Sequence, residues 1–223
     1  MNPLGEHDYE PMPGLPGALP EGEFIRWQGR PEWLDLAISA LHVRKIAIYF
    51  AALLALRVGL EIQAGTGMAS IAQSTLMLGA LALVALGLLT LLAWLMARAS
   101  LYTITNRRIV IRGGVALPIS VNLPFSKVIS ADFRPRRKGF GDLPVTLEKG
   151  TQASWIILWP HVRPWHLGRV QPMLRAVANA EKAAQVLGDA LAEDLQQSNV
   201  VELPVRVRSK DKMPVVTAGS GAR

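Results

Sequence analysis

Cysteine is absent from the sequence, which excludes disulfides, zinc–thiolate sites, iron–sulfur clusters and a cysteine nucleophile. Aromatic residues make up only 6% of the 223 residues and charged residues 18%, whereas hydrophobic residues reach 50%. Leucine, alanine, valine and isoleucine supply most of the apolar content, and lipid-facing helices use this mixture. The length allows one or two folding units.

The balance of charge differs between the two ends of the chain. Residues 1–61 carry five Lys or Arg against eight Asp or Glu, whereas residues 98–223 carry nineteen against nine. This asymmetry predicts an anionic partner for the C-terminal half, either lipid headgroups or an acidic protein face. Nucleic acid is not expected, because the interleaved aromatic residues of a stacking platform are missing.

One long run, from Leu76 to Ala97, has no charged residue at all. About 20 apolar residues cross the hydrocarbon core of a bilayer, so the run predicts a transmembrane helix over 76–97. A weaker run over about 45–62 predicts a first spanning helix, although Arg57 interrupts it. Arg57 can pair with Glu61 four residues later and extend its cation toward the headgroups. The alternative is that Arg57 binds a partner inside the membrane.

The distribution of Lys and Arg predicts the orientation of this two-helix anchor. The loop between the two runs has none, while both flanks carry them, so both termini are expected in the cytoplasm. Residues 1–22 are expected to form a flexible arm rather than a signal peptide, because no basic segment precedes an apolar core. Residues 23–98 then form a leading segment with the anchor, and 198–223 form a flexible basic tail.

Residues 99–197 predict a small β-domain closed by a helix. Short β-branched segments bounded by Gly or Pro indicate antiparallel strands, including one over 115–124 and a last one over 153–159, in which Trp155, Ile157 and Trp159 would share one face. A helix is expected to begin at Pro172 and run to about residue 197. The predicted fold is therefore two transmembrane helices followed by a cytoplasmic β-sandwich or barrel of the pleckstrin-homology (PH) layout, capped by a C-terminal helix.

Three segments carry a resemblance to a known family. "EFIRWQGRP" and "YTITNRRIVIRGG" are similar to segments of bacterial membrane-anchored PH-like proteins. "LWPHVRPW", followed by "QPMLRAV", resembles the PuhB family of photosynthetic-complex assembly proteins of purple phototrophic bacteria. The resemblance implies a non-enzymatic assembly factor of the inner (cytoplasmic or intracytoplasmic) membrane that contacts reaction-centre subunits or the light-harvesting antenna. The alternative is a PH-like protein that binds lipid headgroups or envelope proteins and is unrelated to photosynthesis.

The stretch "WIILWPHVRPWH" over 155–166 has the residues of an active site, but their pattern argues against one. No Asp or Glu lies between Glu148 and Glu181 to complete a metal or acid–base site. Tryptophan and arginine are enriched at binding hot spots, so the stretch predicts a docking surface. Plain packing in the core is the alternative. The docking candidates are Trp155, Trp159, His161, Arg163 and Trp165.

A second candidate site is a basic patch built from a turn and a loop. It consists of Arg107, Arg108, Arg134, Arg136, Arg137 and Lys138. Beside a membrane, each such cation gains about 1 kcal/mol from anionic lipid, so we expect contact with headgroups or an acidic partner. A solvated loop is the alternative.

No catalytic, metal or cofactor site is expected elsewhere. The chain lacks G-x-S-x-G, P-loop and dinucleotide-binding motifs. His42, at the start of the first helix, is a weak candidate ligand for the magnesium of a bacteriochlorophyll. An interfacial histidine beside Arg44 is the simpler interpretation. Self-association is left open, since the second helix has no G-x-x-x-G pattern.

Overall fold

A computed structural model describes residues 14–15, 17–136, 139–151, 154–166 and 168–201, apart from the side chains of 198–201. Strand β1 (Ile25–Gly29) and helix α1 (Trp33–Ser39) precede two long helices, α2 (Val43–Gln63) and α3 (Met68–Ala99). Both long helices are apolar and long enough to cross a membrane. Their apolar side chains face outward along most of their length, as expected for helices in lipid.

The β-domain follows α3 directly. Its strands are β2 (Leu101–Thr105), β3 (Arg108–Gly113), β4 (Ile119–Pro124), β5 (Val128–Ala131), β6 (Arg134–Pro135) and β7 (Gly141–Leu147). Helix α4 (Trp155–Leu158), strand β8 (Met173–Val177) and helix α5 (Ala180–Val201) complete the described chain. The antiparallel strands form one sheet in the order β1-β2-β3-β4 and a second around β7, which pairs with β5, β6 and β8.

Alternating side chains of the two sheets form the core, which α5 closes at one side. The inward residues of β2, β3 and β7 include Tyr102, Ile104, Ile109, Ile111, Leu143, Val145 and Leu147. Helix α5 buries Ala180, Ala183, Leu187 and Ala190, which are spaced three or four residues apart and so share one face. The predicted fold class, two long apolar helices followed by a PH-like sandwich with a C-terminal helix, is confirmed.

Strand β1 precedes the two long helices in the sequence, yet it pairs with strands that follow them. It pairs with β2, so that Gln28 lies opposite Thr103 and Gly29 opposite Tyr102. The sheet is thus built from segments that lie before and after α2 and α3 in the sequence. Part of the expected flexible arm also packs on it, because Leu15 is buried. Residues 1–13 and 202–223 lie outside the described residues.

Two predicted elements are wrong in type. The strand expected over 153–159 is replaced by one turn of helix, α4. The helix expected from Pro172 begins only at Ala180, and Met173–Val177 is strand β8, buried along its whole length against β7. Hydrogen bonding to β7 outweighs the local helical preference of this segment. The strand expected over 115–124 also begins later, at Ile119, because residues 114–118 form a turn.

Candidate functional site

The three tryptophans of the 155–166 stretch have different surroundings. Trp155 begins α4 and is half-buried, Trp159 follows the helix and is partly exposed, and Trp165 is 93% exposed. Because α4 is a helical turn, Leu158 points into the domain while Ile156 and Ile157 face outward. The predicted alternation of Trp155, Ile157 and Trp159 on one strand face is therefore absent.

Trp165 lies on a turn that the surrounding backbone holds in place. Its φ is +64°, in the left-handed region that L residues seldom adopt. On one side, the Arg163 side chain donates to Gln171 Oε1 at 2.8 Å and the Arg163 backbone N–H donates to the Gln171 carbonyl at 2.9 Å. On the other, His166 Nδ1 lies 2.9 Å from the Pro164 carbonyl oxygen. The indole is thus presented to the outside from a fixed support.

His161 lies inside the domain at its junction with α3. Its Nε2 is 2.8 Å from Ser100 Oγ, and its Nδ1 is 2.7 Å from the Tyr102 hydroxyl. Ser100 donates its own proton to the Met96 carbonyl at 2.6 Å, so it accepts from His161 Nε2–H. The Tyr102 hydroxyl accepts from the Arg175 backbone N–H at 3.1 Å, lies 3.2 Å from the Arg175 carbonyl oxygen, and makes its shortest contact, 2.7 Å, with Nδ1. This shortest contact favours donation from Tyr102 to Nδ1 and therefore the neutral tautomer protonated at Nε2.

Burial determines the protonation of this cluster. Burial, with a smaller contribution from the nearby Arg175 cation, lowers the pKa of His161 to about 3. Burial likewise raises the pKa of Tyr102. The imidazole is therefore neutral at physiological pH and only 4% exposed. The prediction that His161 contacts a partner directly is wrong, because its ring is enclosed and both nitrogens already have partners.

A chain of alternating charges extends from this cluster to α1. Burial lowers the pKa of Arg175, whose guanidinium donates to the Val162 carbonyl at 3.2 Å. Asp142 accepts from the Ala176 backbone N–H at 3.0 Å and from the Arg136 guanidinium at 2.8 Å. Arg136 also lies 3.9 Å from Asp35 of α1, whose pKa burial raises. These contacts fix α1 against the β-domain.

The predicted basic patch is divided between two ends of the domain. Arg108 lies at the β2–β3 turn and pairs with Glu23 at 2.8 Å, while the adjacent Arg107 is exposed. Arg136 lies instead beside α1, and Arg134 is exposed on β6. Arg108 is held beside β1 through Glu23, whereas Arg136 is held at α1 through Asp35, so the two groups belong to different elements. A single continuous patch is therefore not formed by the described residues; Arg137 and Lys138 lie outside them.

His42 occupies the connection between α1 and α2. It has a left-handed backbone (φ 53°), its side chain makes no capping hydrogen bond, and it is exposed. The suggested pigment ligation stays a prediction. At the opposite end of the long helices, Arg57 and Glu61 pair at 2.9 Å, as their spacing predicts, and Ser74 of α3 donates to Glu61.

Two features escaped the sequence reasoning. Ser100 and Tyr102 complete the polar cluster of His161, and the sequence signal for it is a tyrosine in a strand predicted to be buried, since a buried phenol needs a partner. The second feature is the apolar turn over 114–118, whose residues predict the start of a strand. Gly114 has φ +105°, and a Cβ there would overlap the Leu117 carbonyl, so the turn depends on this glycine.

A family model for the bacterial PH domain matches residues 46–191, a range that includes nearly all of α2, all of α3 and most of the β-domain. The chain therefore belongs to the bacterial PH domain family. This family is typically non-catalytic, and no enzymatic family is indicated.

A curated relative connects the chain to a particular gene region. The chain is 36% identical over 200 residues to a protein of Rhodobacter capsulatus named "Uncharacterized 23.7 kDa protein in puhA 5'region". The similarity covers 89% of this chain and 94% of that protein, so the two correspond over nearly their whole lengths. No solved structure gives a significant match. The name of the relative places its gene in the 5' region of puhA.

Proposed function

We propose that this protein is a membrane-anchored assembly factor for the photosynthetic reaction centre or its complex with the antenna. Helices α2 and α3 cross the inner membrane, with both termini and the PH-like domain on the cytoplasmic side. The domain binds nascent subunits non-covalently. Support comes from the gene neighbourhood of the relative, from the resemblance to the PuhB family and from the two long apolar helices.

The observation that carries the docking part of this proposal is Trp165. A tryptophan exposed to 93% on a supported turn costs free energy in water and is the residue type most enriched at binding hot spots. Arg163 lies two residues before Trp165, and its hydrogen bond to Gln171 already orders its side chain. Binding of a partner to Arg163 therefore costs little additional conformational entropy. Trp165 and Arg163 are therefore the proposed contact residues, with Trp159 at the margin.

The exposed cations have a supporting role in this proposal. Arg134 and the partly exposed Arg136 lie on the side of the domain that contains α1, close to the end of α3. At that level they attract anionic headgroups or an acidic face of the partner.

The test replaces the relative in Rhodobacter capsulatus with this chain. Deletion of the relative's gene should lower reaction-centre absorbance under phototrophic growth, and the wild-type chain should restore it. The double variant Trp165→Ala, Arg163→Ala should restore it less and should co-purify less reaction-centre protein, at unchanged abundance of the variant. Phe24→Ala is the matched control, because Phe24 is an exposed aromatic residue next to β1. Unchanged absorbance after deletion would contradict the assembly function, and full activity of the double variant would contradict the docking site.

A further inference from the structure

We propose that the β-domain carries a second membrane contact, an insertion surface that enters the interfacial layer of the bilayer beside α3. The insertion surface consists of the β3–β4 turn and the outer side of α4: Val115, Leu117, Ile119, Ile156, Ile157 and Trp159. This inference rests on the proposed membrane crossing of α2 and α3, and its occupant is the lipid bilayer itself.

The insertion surface is exposed in the absence of a membrane. Leu117 is 76% exposed and Ile156 is 81% exposed, and the other four members are partly exposed as well. Single exposed leucines are ordinary, but six neighbouring apolar side chains without a charged residue among them form a patch. Such patches indicate contact with a membrane or a protein partner.

Strand register places this surface at the membrane end of the domain. Strand β2 leaves α3 with only Ser100 between them, and Leu101 pairs with Arg112 of the returning strand β3. Gly113 therefore lies beside Ser100, and a Cβ at Gly113 would be 3.7 Å from Ser100 Oγ. The chain continues past this point, so residues 114–118 extend toward α3 rather than away from it.

The α4 part of the surface is fixed to the same place. His161, three residues after α4, hydrogen-bonds to Ser100 at 2.8 Å and would lie 3.2 Å from a Cβ at Gly113. Between α4 and the β3–β4 turn lies an apolar cleft of about 270 Å³, lined by residues that include Ile111, Ile119, Val121, Ile157 and Trp159. Acyl chains fill such a cleft without leaving a buried polar group unsatisfied.

Continuity with the membrane helices argues for lipid as the occupant. At the same end of α3, Trp94 is exposed and stacks with Arg98, whose guanidinium lies 5.4 Å from the indole ring, an arrangement typical of the headgroup level. Helix α1 packs there through Leu36, which is buried beside Ala97, while Leu34 and Ile38 point outward. Exposed apolar side chains are thus present on α3 and α1 at the end of α3 where the β-domain begins.

The absence of cysteine makes a depth measurement simple, since single-cysteine variants need no prior substitution. Leu117→Cys and Ile156→Cys in the full chain are labelled with a nitroxide and reconstituted into vesicles of phosphatidylcholine and phosphatidylglycerol. Collision rates with oxygen, which concentrates in lipid, and with a water-soluble nickel chelate are measured by electron paramagnetic resonance. Arg107→Cys, at the opposite turn of the sheet, is the aqueous control. Leu88→Cys, exposed on α3, is the lipid control.

The expected result is an oxygen-to-nickel ratio at residues 117 and 156 that is several-fold higher than at residue 107 and approaches that at 88. The two failures are distinguishable. Aqueous values at 117 and 156, with a lipid value at 88, would overturn the insertion surface and leave the membrane anchor intact. An aqueous value at 88 would overturn the anchor and this inference with it.

Discussion

The first sheet has two turns of opposite character at its two ends. The β2–β3 turn is polar: Asn106 accepts from the Phe24 backbone N–H and donates to the Gly22 carbonyl, and Thr105 accepts from the N–H groups of Arg107 and Arg108. The β3–β4 turn relies on Gly114 and displays apolar side chains. One end satisfies its polar groups with local hydrogen bonds, whereas the other presents the apolar side chains of the proposed insertion surface.

The polar groups that the two ends bury also differ. At the end beside α3, His161, Ser100 and Tyr102 form a neutral cluster, and the charged side chains of Arg175, Asp142, Arg136 and Asp35 lie next to it. At the far end, Arg108 and Glu23 form an ion pair that retains partial access to water. The neutral cluster needs no counter-charge, whereas the charged groups at both ends are buried with opposite charges or hydrogen-bond partners nearby, because burying a lone charge requires compensation for lost hydration.

The largest expected effect comes from breaking the neutral cluster. His161→Leu removes the acceptor of Tyr102 and the donor to Ser100 and should lower the free energy of unfolding by about 3 kcal/mol. Thermal unfolding of the full chain in detergent micelles measures this as a lower Tm. Trp165→Ala is the control, and its Tm should match the wild type. An unchanged Tm for His161→Leu would show that the cluster does not stabilise the junction.

Removal of the ion pair beside the β2–β3 turn should lower the free energy of unfolding by less. Arg108→Ala leaves the Glu23 carboxylate, whose side chain is 3% exposed, without its cation, and we expect a loss of about 2 kcal/mol. Lys127→Ala is the matched control, since Lys127 and Glu148 form an ion pair with both side chains about half exposed, and its Tm should not change measurably. Equal effects of the two substitutions would mean that burial of Glu23 does not matter.

Low pH should reduce the free energy of unfolding, because the buried His161 must then be protonated on unfolding. The folded protein holds the pKa of His161 at about 3, below the ordinary histidine value of 6.5, so the unfolded chain binds more protons between these two values. Stability is therefore fully present above pH 6.5 and falls as the pH decreases, by about 1.4 kcal/mol per pH unit. Unfolding of wild type and His161→Leu is compared at pH 7 and 5.5. The difference between them should shrink at the lower pH; a constant difference would contradict the assignment.

Local sequence signals predicted the elements whose stability is local. The two long helices follow from runs of apolar residues that no soluble surface needs, and the β2–β3 hairpin follows from β-branched residues around Asn106. The pairing of Arg57 with Glu61 follows from helical spacing alone. Such features depend on neighbours within a few positions, so the sequence contains the necessary information.

The misassigned elements depend on distant partners. Met173–Val177 has residues that suit a helix, yet it pairs with β7 and its Ala176 carbonyl accepts from the Glu32 backbone N–H. Trp155–Leu158 has the apolar run of a strand, yet it lies as a helical turn over the end of the sheet. In Met173–Val177 tertiary hydrogen bonds and burial outweigh helical propensities of less than about 1 kcal/mol per residue, and in Trp155–Leu158 the local helical hydrogen bonds form while Leu158 is buried against the domain.

The candidate site divides in the same way. The sequence by itself determined that 155–166 is an unusual aromatic and basic segment without the carboxylates of an active site, and that two apolar helices precede a β-domain. Only the tertiary structure decided which side chains of this segment face outward. Trp165 is on the surface and His161 is inside, four positions apart, because Ser100 and Tyr102 supply the partners that a buried imidazole requires.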